Sequence, residues 1–471
     1  MMDGVFLAHR RISSIQLMGV LLLAAAPPAL AQPSDVLLTD KLNIASTVEA
    51  IDFTWSGHRA NPQMIQRGEH QIIVYYDANR QMSVAHRPTQ RAPWRYHKLP
   101  SFLGWDSHNY VTVDVDEAGY IHVMGNMHAD PLVYFRSRTP WDIRSLEQVE
   151  YLVDPKREQR VTYPRFDHDP EGRLIAAFRI GGSGNGSFFF HRFDTATKTW
   201  SLLHGSPFFD GEGERSAYYV GPDKGPDGLF HMIWVWRETP SAATNNNLSY
   251  LRSRDLLSWE DSNGTPVKLP IIRANGEIVD PVPVGGGMLN GQTRLGFEAS
   301  NAPMISYYKN DAKGDTQIML ARKAGKGWKV HQVSDWTDTK QNLDRGGSLS
   351  GNTIAVQASP YVAADGTIRV RASRSGKPIE FVIDPATGKT VSSGPYEAEP
   401  SVISGFKDIA GVPLQVRKAG GVPAGSDYDF YLSWQANNAN QDQARADIPP
   451  SSTLRLHKIT RSRQSKPEDI E

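Results

Sequence analysis

The chain has 471 residues and carries 51 basic and 51 acidic side chains, so its formal net charge is zero at neutral pH. This balance gives no overall field that would draw the protein to nucleic acid, and an anionic ligand must be held by local cations. The absence of cysteine excludes disulfides, thiolate catalysis and cysteine-ligated zinc.

The first 31 residues are typical of a secretory signal peptide. Basic residues at 9–11 precede an apolar run over 15–26, and the small-residue ending Ala29-Leu30-Ala31 predicts cleavage before Gln32. The apolar run is too short to span a bilayer, and no later run approaches the roughly 20 residues that a spanning helix needs. We therefore expect a secreted or periplasmic protein without a membrane span.

A repeat dominates the rest of the chain. Strand-pair patterns recur at 70–87, 119–137, 172–194, 228–253, 302–323, 366–384 and 427–458. Their spacing of roughly fifty residues suits four-stranded propeller blades. We predict an all-β fold, a single-domain seven-bladed β-propeller over 32–460 that acts as a monomer, with a polar tail at 461–471. The segment 48–55 is predicted to complete the last blade as a closing strand, and the ambiguous stretch 385–426 leaves six or eight blades as alternatives.

Tryptophans follow many of these strand pairs, and each indole can pack between neighbouring sheets. They are Trp94, Trp141, Trp200, Trp259 and Trp328. Trp234 and Trp236 alternate with apolar residues, which predicts a place in the core. The 40 glycines and 31 prolines fit a chain of many turns.

Two polar clusters enclose the apolar, strand-like run 110–123. They are Trp105-Asp106-Ser107-His108-Asn109 and Gly125-Asn126-Met127-His128. A buried strand has no structural need of imidazoles at its ends, so the clusters predict a site on a rigid scaffold. Thr162-Tyr163-Pro164, Arg179 and Trp236-Arg237-Glu238 stand out in the next two blades, and inner strands of successive blades converge on one funnel. The glycine-rich string 181–186 is not a nucleotide loop, because a strand-like run follows it where a helix would be required.

Together with Tyr120-Ile121-His122, Phe209-Asp210-Gly211 and Gly225-Pro226-Asp227-Gly228, these motifs resemble the BNR-repeat polysaccharide lyase superfamily. The resemblance extends from about Trp55 to Gly346. That superfamily includes propeller ulvan lyases and enzymes that act at rhamnose-glucuronate linkages. It implies a lyase that cleaves an anionic polysaccharide of rhamnose and uronic acid by β-elimination, leaving an unsaturated uronic end. No cofactor is implied for the chemistry.

By the same resemblance, His108, His128, Tyr163 and Arg179 occupy the catalytic positions. A uronate lyase must neutralise the C5 carboxylate, remove the C5 proton and protonate the departing O4. We assign Arg179, with help from His108, to the carboxylate, because a guanidinium holds a carboxylate through two hydrogen bonds. Tyr163 and His128 are assigned to the proton transfers, and which of them is the base is left open.

Further residues are assigned to substrate binding. Asn109 and Asn126 are expected to orient the catalytic side chains or the sugar hydroxyls, and Arg237 to hold a further acidic or sulfated sugar. In related rhamnosidase-type members, a histidine at the position of His58 serves a site on the opposite face of the propeller. An α-L-rhamnosidase-type glycosidase is therefore an alternative function. A non-catalytic uronate-binding propeller is another, although binding alone needs no phenol and no pair of imidazoles.

The sequence does not locate a metal site. Several residues could supply ligands: His108, His128, His168, Asp114, Asp116, Asp167 and Asp169. Their spacing matches no compact zinc or calcium motif. The resemblance allows a structural zinc or calcium ion without placing it. The asparagine-rich segment 243–248 departs from the family pattern, which has a histidine or aspartate there.

Overall fold

The computed structural model describes residues 44–344, 353–397, 401–423 and 425–461. The predicted signal peptide and residues 462–471 of the predicted tail lie outside these ranges. Within them the chain forms seven antiparallel sheets, one after another along the sequence, which we number as blades 1 to 7.

The first three blades hold the following strands, from the inner to the outer edge. Blade 1 comprises Gln63–Arg67, His70–Tyr76, Gln81–Arg87 and Arg95–Phe102. Blade 2 comprises Val111–Val115, Ile121–Gly125, Tyr134–Ser137 and Leu146–Val149. Blade 3 comprises Val161–His168, Leu174–Ile180, Ser187–Asp194 and Thr199–Leu202, with the short strand His128–Asp130 added at its inner edge.

The other four blades complete the series. Blade 4 comprises Ser216–Lys224, Phe230–Arg237, Asn245–Ser253, Trp259–Glu260, Pro266–Val267 and Glu277–Asp280. Blade 5 comprises Arg294–Phe297, Pro303–Asn310, Thr316–Ala324 and Gly327–Gln332. Blade 6 comprises Ile354–Val356, Tyr361–Val362, Ile368–Arg374, Lys377–Ile383 and Thr390–Gly394. Blade 7 comprises Leu414–Lys418, Tyr428–Gln435, Ser452–Arg461 and Ile44–Thr54.

Helix is confined to short turns in the described ranges. These are the 3-10 turns Ile143–Ser145 and Ala242–Thr244 and the α-helical turn Ser401–Ser404. No helix among the described residues has the length and apolar character that crossing a membrane requires.

The predicted all-β propeller is confirmed, and each predicted strand pair corresponds to the central hairpin of a blade. The ambiguous stretch 385–426 is divided between the outer strand Thr390–Gly394 of blade 6 and the inner strand Leu414–Lys418 of blade 7. The described residues therefore form seven blades. The strand-like run 110–123 is the first hairpin of blade 2 and its turn.

The chain ends close the ring, as predicted for the segment 48–55. Ile44–Thr54 pairs antiparallel with Ser452–Arg461 and forms the outer strand of blade 7. On the inner side, the backbone N–H of Gln66 donates to Gly420 O at 2.9 Å, and that of Gly420 donates to Met64 O at 2.9 Å. Hydrogen bonds thus join the inner strand of blade 1 to Gly420, which follows the inner strand of blade 7.

The core lies between neighbouring blades. Every residue of Val111–Val115 is buried, and only Arg237 of Phe230–Arg237 is not, because other blades cover both faces of these sheets. This double coverage explains the nearly continuous apolar runs. Trp234 and Trp236 are buried as predicted.

The repeated tryptophans contact the preceding blade, as their spacing predicted. The Trp200 indole donates to the Tyr134 hydroxyl at 3.2 Å and packs edge-on against His122. Trp141 stacks on His70 with ring centroids 3.7 Å apart. The Trp328 indole donates to Glu277 at 2.8 Å. These contacts hold adjacent sheets together.

The inner strands of successive blades begin at the same end of the propeller, which we call the entry end. The segments 55–62 and 103–110 both join an outer strand to the next inner strand, so both lie at this end. The second strands run antiparallel to the inner strands and finish there. Polar residues at inner-strand starts and second-strand ends therefore meet at one opening.

Trp200→Ala should lower the free energy of unfolding by about 3–5 kcal/mol, because it leaves a cavity between blades 2 and 3. Trp200 is only 7% exposed. Denaturant unfolding followed by fluorescence measures the change. Tyr151→Ala, at a side chain that is 45% exposed, should change stability by only about 0.5 kcal/mol. A loss below about 1 kcal/mol for Trp200→Ala would contradict this packing role.

Candidate functional site

Asp106 joins the two predicted histidines. Its Oδ1 lies 2.6 Å from His108 Nδ1, and its Oδ2 lies 2.5 Å from His128 Nδ1. The two imidazole centroids are 4.1 Å apart. His108 belongs to the connection between blades 1 and 2, and His128 to the short strand that joins the inner edge of blade 3. One carboxylate therefore fixes side chains from two blades.

The charge state of Asp106 sets the orientation of both rings. Partial burial opposes its ionisation, but hydrogen bonds from His108 and His128 outweigh that cost and hold the pKa of Asp106 well below its usual range. An ionised carboxylate accepts from both Nδ1 atoms, so each Nε2 is left for a ligand. Neither Nε2 has a hydrogen-bond partner among the described residues.

A β-bulge places Tyr163 beside the histidines. The register between blade 3's first two strands shifts from Thr162 to Arg165, and Tyr163 has a left-handed φ of 59°. Such bulges redirect side chains, and Pro164 supplies no N–H to continue the ladder. The Tyr163 ring lies 6.1 Å from that of His108 and 6.3 Å from that of His128. Burial raises the pKa of Tyr163 above that of an ordinary phenol, so Tyr163 is a neutral hydrogen-bond donor.

Arg179 lies beneath two phenol rings. Its side chain is 1% exposed, its Nη1 donates to the Tyr218 hydroxyl at 3.0 Å, and its Nη2 donates to Thr162 Oγ1 at 3.3 Å. Its Cζ lies 5.0 Å from the Tyr163 ring centroid. Gly186 permits this path, because a Cβ there would lie 2.7 Å from Arg179 Cδ. The structure thus places Arg179 against Tyr218, and its predicted contact with a substrate carboxylate stays a prediction.

Tyr218 is the site residue that sequence reasoning missed. Its hydroxyl lies 2.7 Å from Ser183 Oγ and accepts from Arg179 at 3.0 Å and Arg237 at 3.3 Å. Burial opposes ionisation of this phenol, but the two guanidinium groups and the hydrogen bonds together lower the pKa of Tyr218 below its ordinary value. The ring centroids of Tyr218 and Tyr163 lie 6.0 Å apart. The pKa of Tyr218 is lowered and that of Tyr163 is raised.

The repeat contains a signal that could have identified Tyr218. Tyr163 and Tyr218 are both the third residue of the inner strand of their blades, Val161–His168 and Ser216–Lys224. Arg179 and Arg237 both lie at the end of the second strand of the same blades. Blades 3 and 4 thus each contribute one tyrosine and one arginine from comparable positions.

Arg237 is held by asparagines. Its Nε donates to Asn245 Oδ1 at 3.1 Å, its Nη2 donates to Asn290, and its Nη1 donates to Ser183 Oγ at 3.3 Å and to Tyr218. The asparagine-rich segment that departs from the family pattern thus positions Arg237 through Asn245. The predicted contact of Arg237 with an acidic sugar remains untested.

The two predicted asparagines differ in their surroundings. Asn126 has a left-handed φ of 64°, and its Nδ2 donates to Ser101 Oγ and Phe102 O, both at 2.9 Å, so it ties its turn to blade 1. Asn109 Oδ1 is buried and has no hydrogen-bond partner among the described residues. A sugar contact for either residue stays a prediction.

His58 does not lie on the opposite face, so that expectation is wrong. His58 belongs to the connection from the closing strand to blade 1, at the entry end. Its Nε2 lies 3.2 Å from Gly104 O, and its Nδ1 lies 3.1 Å from Arg59 O. The ring is 2% exposed and packs near Trp55 and Trp105. Both ring nitrogens face backbone carbonyl oxygens, to one of which a neutral imidazole donates, and His58 has a packing role beside the Asp106 loop.

Three of the seven predicted metal-ligand candidates are paired with arginines. Ion pairs join Asp114 to Arg67, Asp167 to Arg165 and Asp169 to Arg173. Among the described residues, Asp106, His108 and His128 form the one group whose ligand atoms all lie within 4.8 Å of one another. Their types suit zinc, but the observed contacts are hydrogen bonds to Nδ1 that a metal would have to replace. The arrangement therefore fits a hydrogen-bonded dyad better than a structural ion.

Tyr218 should ionise at lower pH than an ordinary phenol. Ultraviolet titration of the folded protein should show an early phenolate component that is lost in Tyr218→Phe. Tyr163→Phe is the matched control and should retain it, because the pKa of Tyr163 is raised. An early component that survives Tyr218→Phe would contradict the role of the two arginines.

Comparisons with known proteins place the fold and the family. The polysaccharide lyase Uly1 is 13% identical, covers 87% of this chain and 92% of its own, and has a TM-score of 0.59. The ulvan lyase of family PL25 bound to -[GlcA(1-4)Rha3S]- is also 13% identical, with a TM-score of 0.54 and coverage of 87% and 95%. At this identity the likeness establishes the propeller fold.

Curated relatives match over short segments. The long-isoform ulvan lyase of Glaciecola sp. (strain KUL10) is 35% identical over 65 residues, which are 14% of this chain and 6% of that protein. The short-isoform ulvan lyase of Alteromonas sp. (strain LOR) is 28% identical over 80 residues, 17% of this chain and 15% of that protein. The model of the BNR repeat-containing family (BNR_4) matches residues 70–336, more than half of the 471 residues. The protein therefore belongs to the BNR repeat-containing family.

Proposed function

We propose that this protein is an exported polysaccharide lyase that cleaves a uronate-containing polysaccharide by β-elimination. The observation that carries the proposal is Tyr218, a phenol that accepts hydrogen bonds from Arg179 and Arg237 and has a lowered pKa. A binding site for an acidic sugar has no need of a phenolate, whereas elimination needs a base that removes a carbon-bound proton.

A polymer of rhamnose and glucuronic acid is the proposed substrate. The short segments shared with ulvan lyases support this choice, as does the fold shared with an ulvan lyase bound to -[GlcA(1-4)Rha3S]-. Cationic and hydrogen-bonding side chains at the entry end suit a polyanion. They include Arg179, Arg237 and the two histidines held by Asp106.

The Tyr218 phenolate is the proposed base. It takes the C5 proton, the electrons of the C5–H bond form the C4=C5 double bond, and the C4–O4 bond breaks. Arg179 and Arg237 favour the ionised phenol before the reaction, so less free energy is needed to deprotonate it at neutral pH. The sequence left the base open between Tyr163 and His128; because burial raises the pKa of Tyr163, the proposed base is Tyr218 instead.

The histidine dyad and Tyr163 complete the proposed mechanism. In its doubly protonated form His108 donates from Nε2 to the uronate carboxylate, which withdraws charge from the developing carbanion. The departing O4 receives its proton from the neutral Tyr163 hydroxyl or from the Nε2–H of a doubly protonated His128, and the donor regains a proton from solvent. Tyr218 is left protonated and returns its proton to solvent. Arg179 contributes positive charge beneath Tyr163 and Tyr218, 5.0 and 5.7 Å from their ring centroids.

Tyr218→Phe should lower kcat on ulvan by roughly 10²–10⁴-fold, because it keeps the ring and removes only the base. The ultraviolet absorbance of unsaturated uronate ends, followed over time, measures this rate. Tyr151→Phe, at an exposed tyrosine, is the control and should match the parent protein. Parent activity in Tyr218→Phe would overturn the assignment of the base. If the parent protein itself forms no unsaturated ends but binds ulvan, it is a binding propeller.

Asp106→Asn should reduce activity by roughly 10²-fold or more, because the neutral amide no longer favours the Nδ1-protonated form of both histidines. The same absorbance assay measures the loss. Asp442→Asn is a neighbouring control: this carboxylate accepts from Ser107 and lies 3.7 Å from His108 Nδ1, so its loss should have a smaller effect. Equal losses in the two variants would contradict the central place of Asp106.

A further inference from the structure

A cavity of about 470 Å³ opens between blades 1 and 2, lined by His86, Arg95, Trp141, Asp142, Ile143 and Arg144. His86 ends the third strand of blade 1, and Arg95 begins the fourth. The other residues lie where blade 2 passes from its third to its fourth strand. These ends are opposite to the entry end, so the cavity is separate from the site around Tyr218.

The cavity carries two free guanidinium groups. Arg95 and Arg144 are exposed, and neither side chain makes an ion pair or hydrogen bond in the part of the chain that the structure describes. Asp142 is the one carboxylate in the lining, and its Oδ1 already accepts from the Arg144 backbone N–H at 3.0 Å. The lining therefore has an excess of positive charge, which suits an anionic ligand.

A buried imidazole forms part of the cavity wall. His86 is 2% exposed and lines the cavity. Its Nε2 lies 3.0 Å from His70 Nδ1, and the two rings are stacked. Solvent does not reach its Nδ1, so His86 contributes a fixed ring to the wall and no hydrogen bond to an occupant.

Trp141 gives the cavity a rigid wall. Its ring stacks on His70, and its indole edge lies close to Gly119, where a Cβ would meet Trp141 Nε1 at 2.3 Å. The volume suits a small number of sugar rings, and a rigid aromatic beside a few fixed polar groups is typical of a ligand site. The two guanidinium groups and the aromatic wall together favour an acidic saccharide over a neutral one.

We propose that this cavity is a second saccharide-binding site, which holds a carboxylate or sulfate group of an acidic polysaccharide through Arg95 and Arg144. Because the cavity lies at the opposite end from Tyr218, its occupant is not the reacting sugar. The site holds another stretch of polymer, and this second attachment raises the local concentration of polymer at the entry end.

Calorimetric titration with a sulfated glucuronate-rhamnose tetrasaccharide tests the second site. The Tyr218→Phe background prevents turnover. The expected result is two binding events, of which one weakens about tenfold or more in Arg95→Gln/Arg144→Gln, the factor equivalent to one charge-assisted hydrogen bond. Lys326→Gln/Lys377→Gln removes the same charge from the exposed turns of blades 5 and 6, and should retain both events.

Identical titrations for the two double variants would overturn the proposal, as would equal binding of neutral dextran. Inorganic sulfate that displaces the tetrasaccharide at an equal concentration would mean that the cavity binds an anion and no sugar. If the proposed lyase function is wrong, the parent protein forms no unsaturated ends from ulvan, while the binding event sensitive to Arg95 and Arg144 remains. The two failures are therefore distinguishable.

Discussion

The antiparallel pairing of Ile44–Thr54 with Ser452–Arg461 is the constraint on which the rest of the structure depends. It joins the beginning and the end of the described chain in one blade and leaves the ring with no unpaired seam there. It also brings the loop after Tyr428–Gln435 to the entry end. In that loop Asp442 accepts from the Ser107 backbone N–H at 3.0 Å, next to His108. Ring closure and the position of the histidine dyad are therefore linked.

The pKa values of Asp106, Tyr218 and Tyr163 are each shifted by their surroundings in the site. Asp106 is kept ionised by two imidazoles, and two guanidinium groups lower the pKa of Tyr218 below its ordinary value. Tyr163 is partly buried, and desolvation raises its pKa, so it stays a neutral phenol. Opposite shifts in neighbouring groups are the usual means by which one site offers both a base and an acid. The scaffold supplies this contrast by taking one tyrosine and one arginine from each of two blades.

The sequence predicted the strand pairs well, because apolar runs between turn residues report strands directly, as in Pro303–Asn310 and Thr316–Ala324. It also predicted that His108, His128, Tyr163 and Arg179 converge. Tyr218 escaped prediction because it is one of 17 tyrosines, and its match to Tyr163 in the repeat becomes visible only once the strand boundaries of blades 3 and 4 are known. The contact with Arg179 joins blades 3 and 4 across 39 positions of the chain. The contact with Arg237 lies within blade 4 and spans 19 positions.

His58 was assigned to the opposite face from its resemblance to rhamnosidase-type members, and the strand order of this chain contradicts that assignment. The face of a propeller on which a connection lies depends on which strands it joins, and residues 55–62 join the closing strand to an inner strand. Sequence periodicity identified the closing strand but did not fix the end at which the chain leaves it. Gly104 lies in the connection between blades 1 and 2, at the entry end. His58 Nε2 lies 3.2 Å from Gly104 O, so His58 is at the same end.

The most direct test of the central claim is the pH dependence of kcat/KM for ulvan cleavage in Arg237→Gln compared with the parent protein. The ascending limb reports deprotonation of the base in the free enzyme. Because Arg237 lowers the pKa of Tyr218, its removal should move that limb to higher pH, while Arg237→Lys, which keeps a positive charge, should move it less. An ascending limb at the same pH in all three proteins would contradict a Tyr218 phenolate as the base.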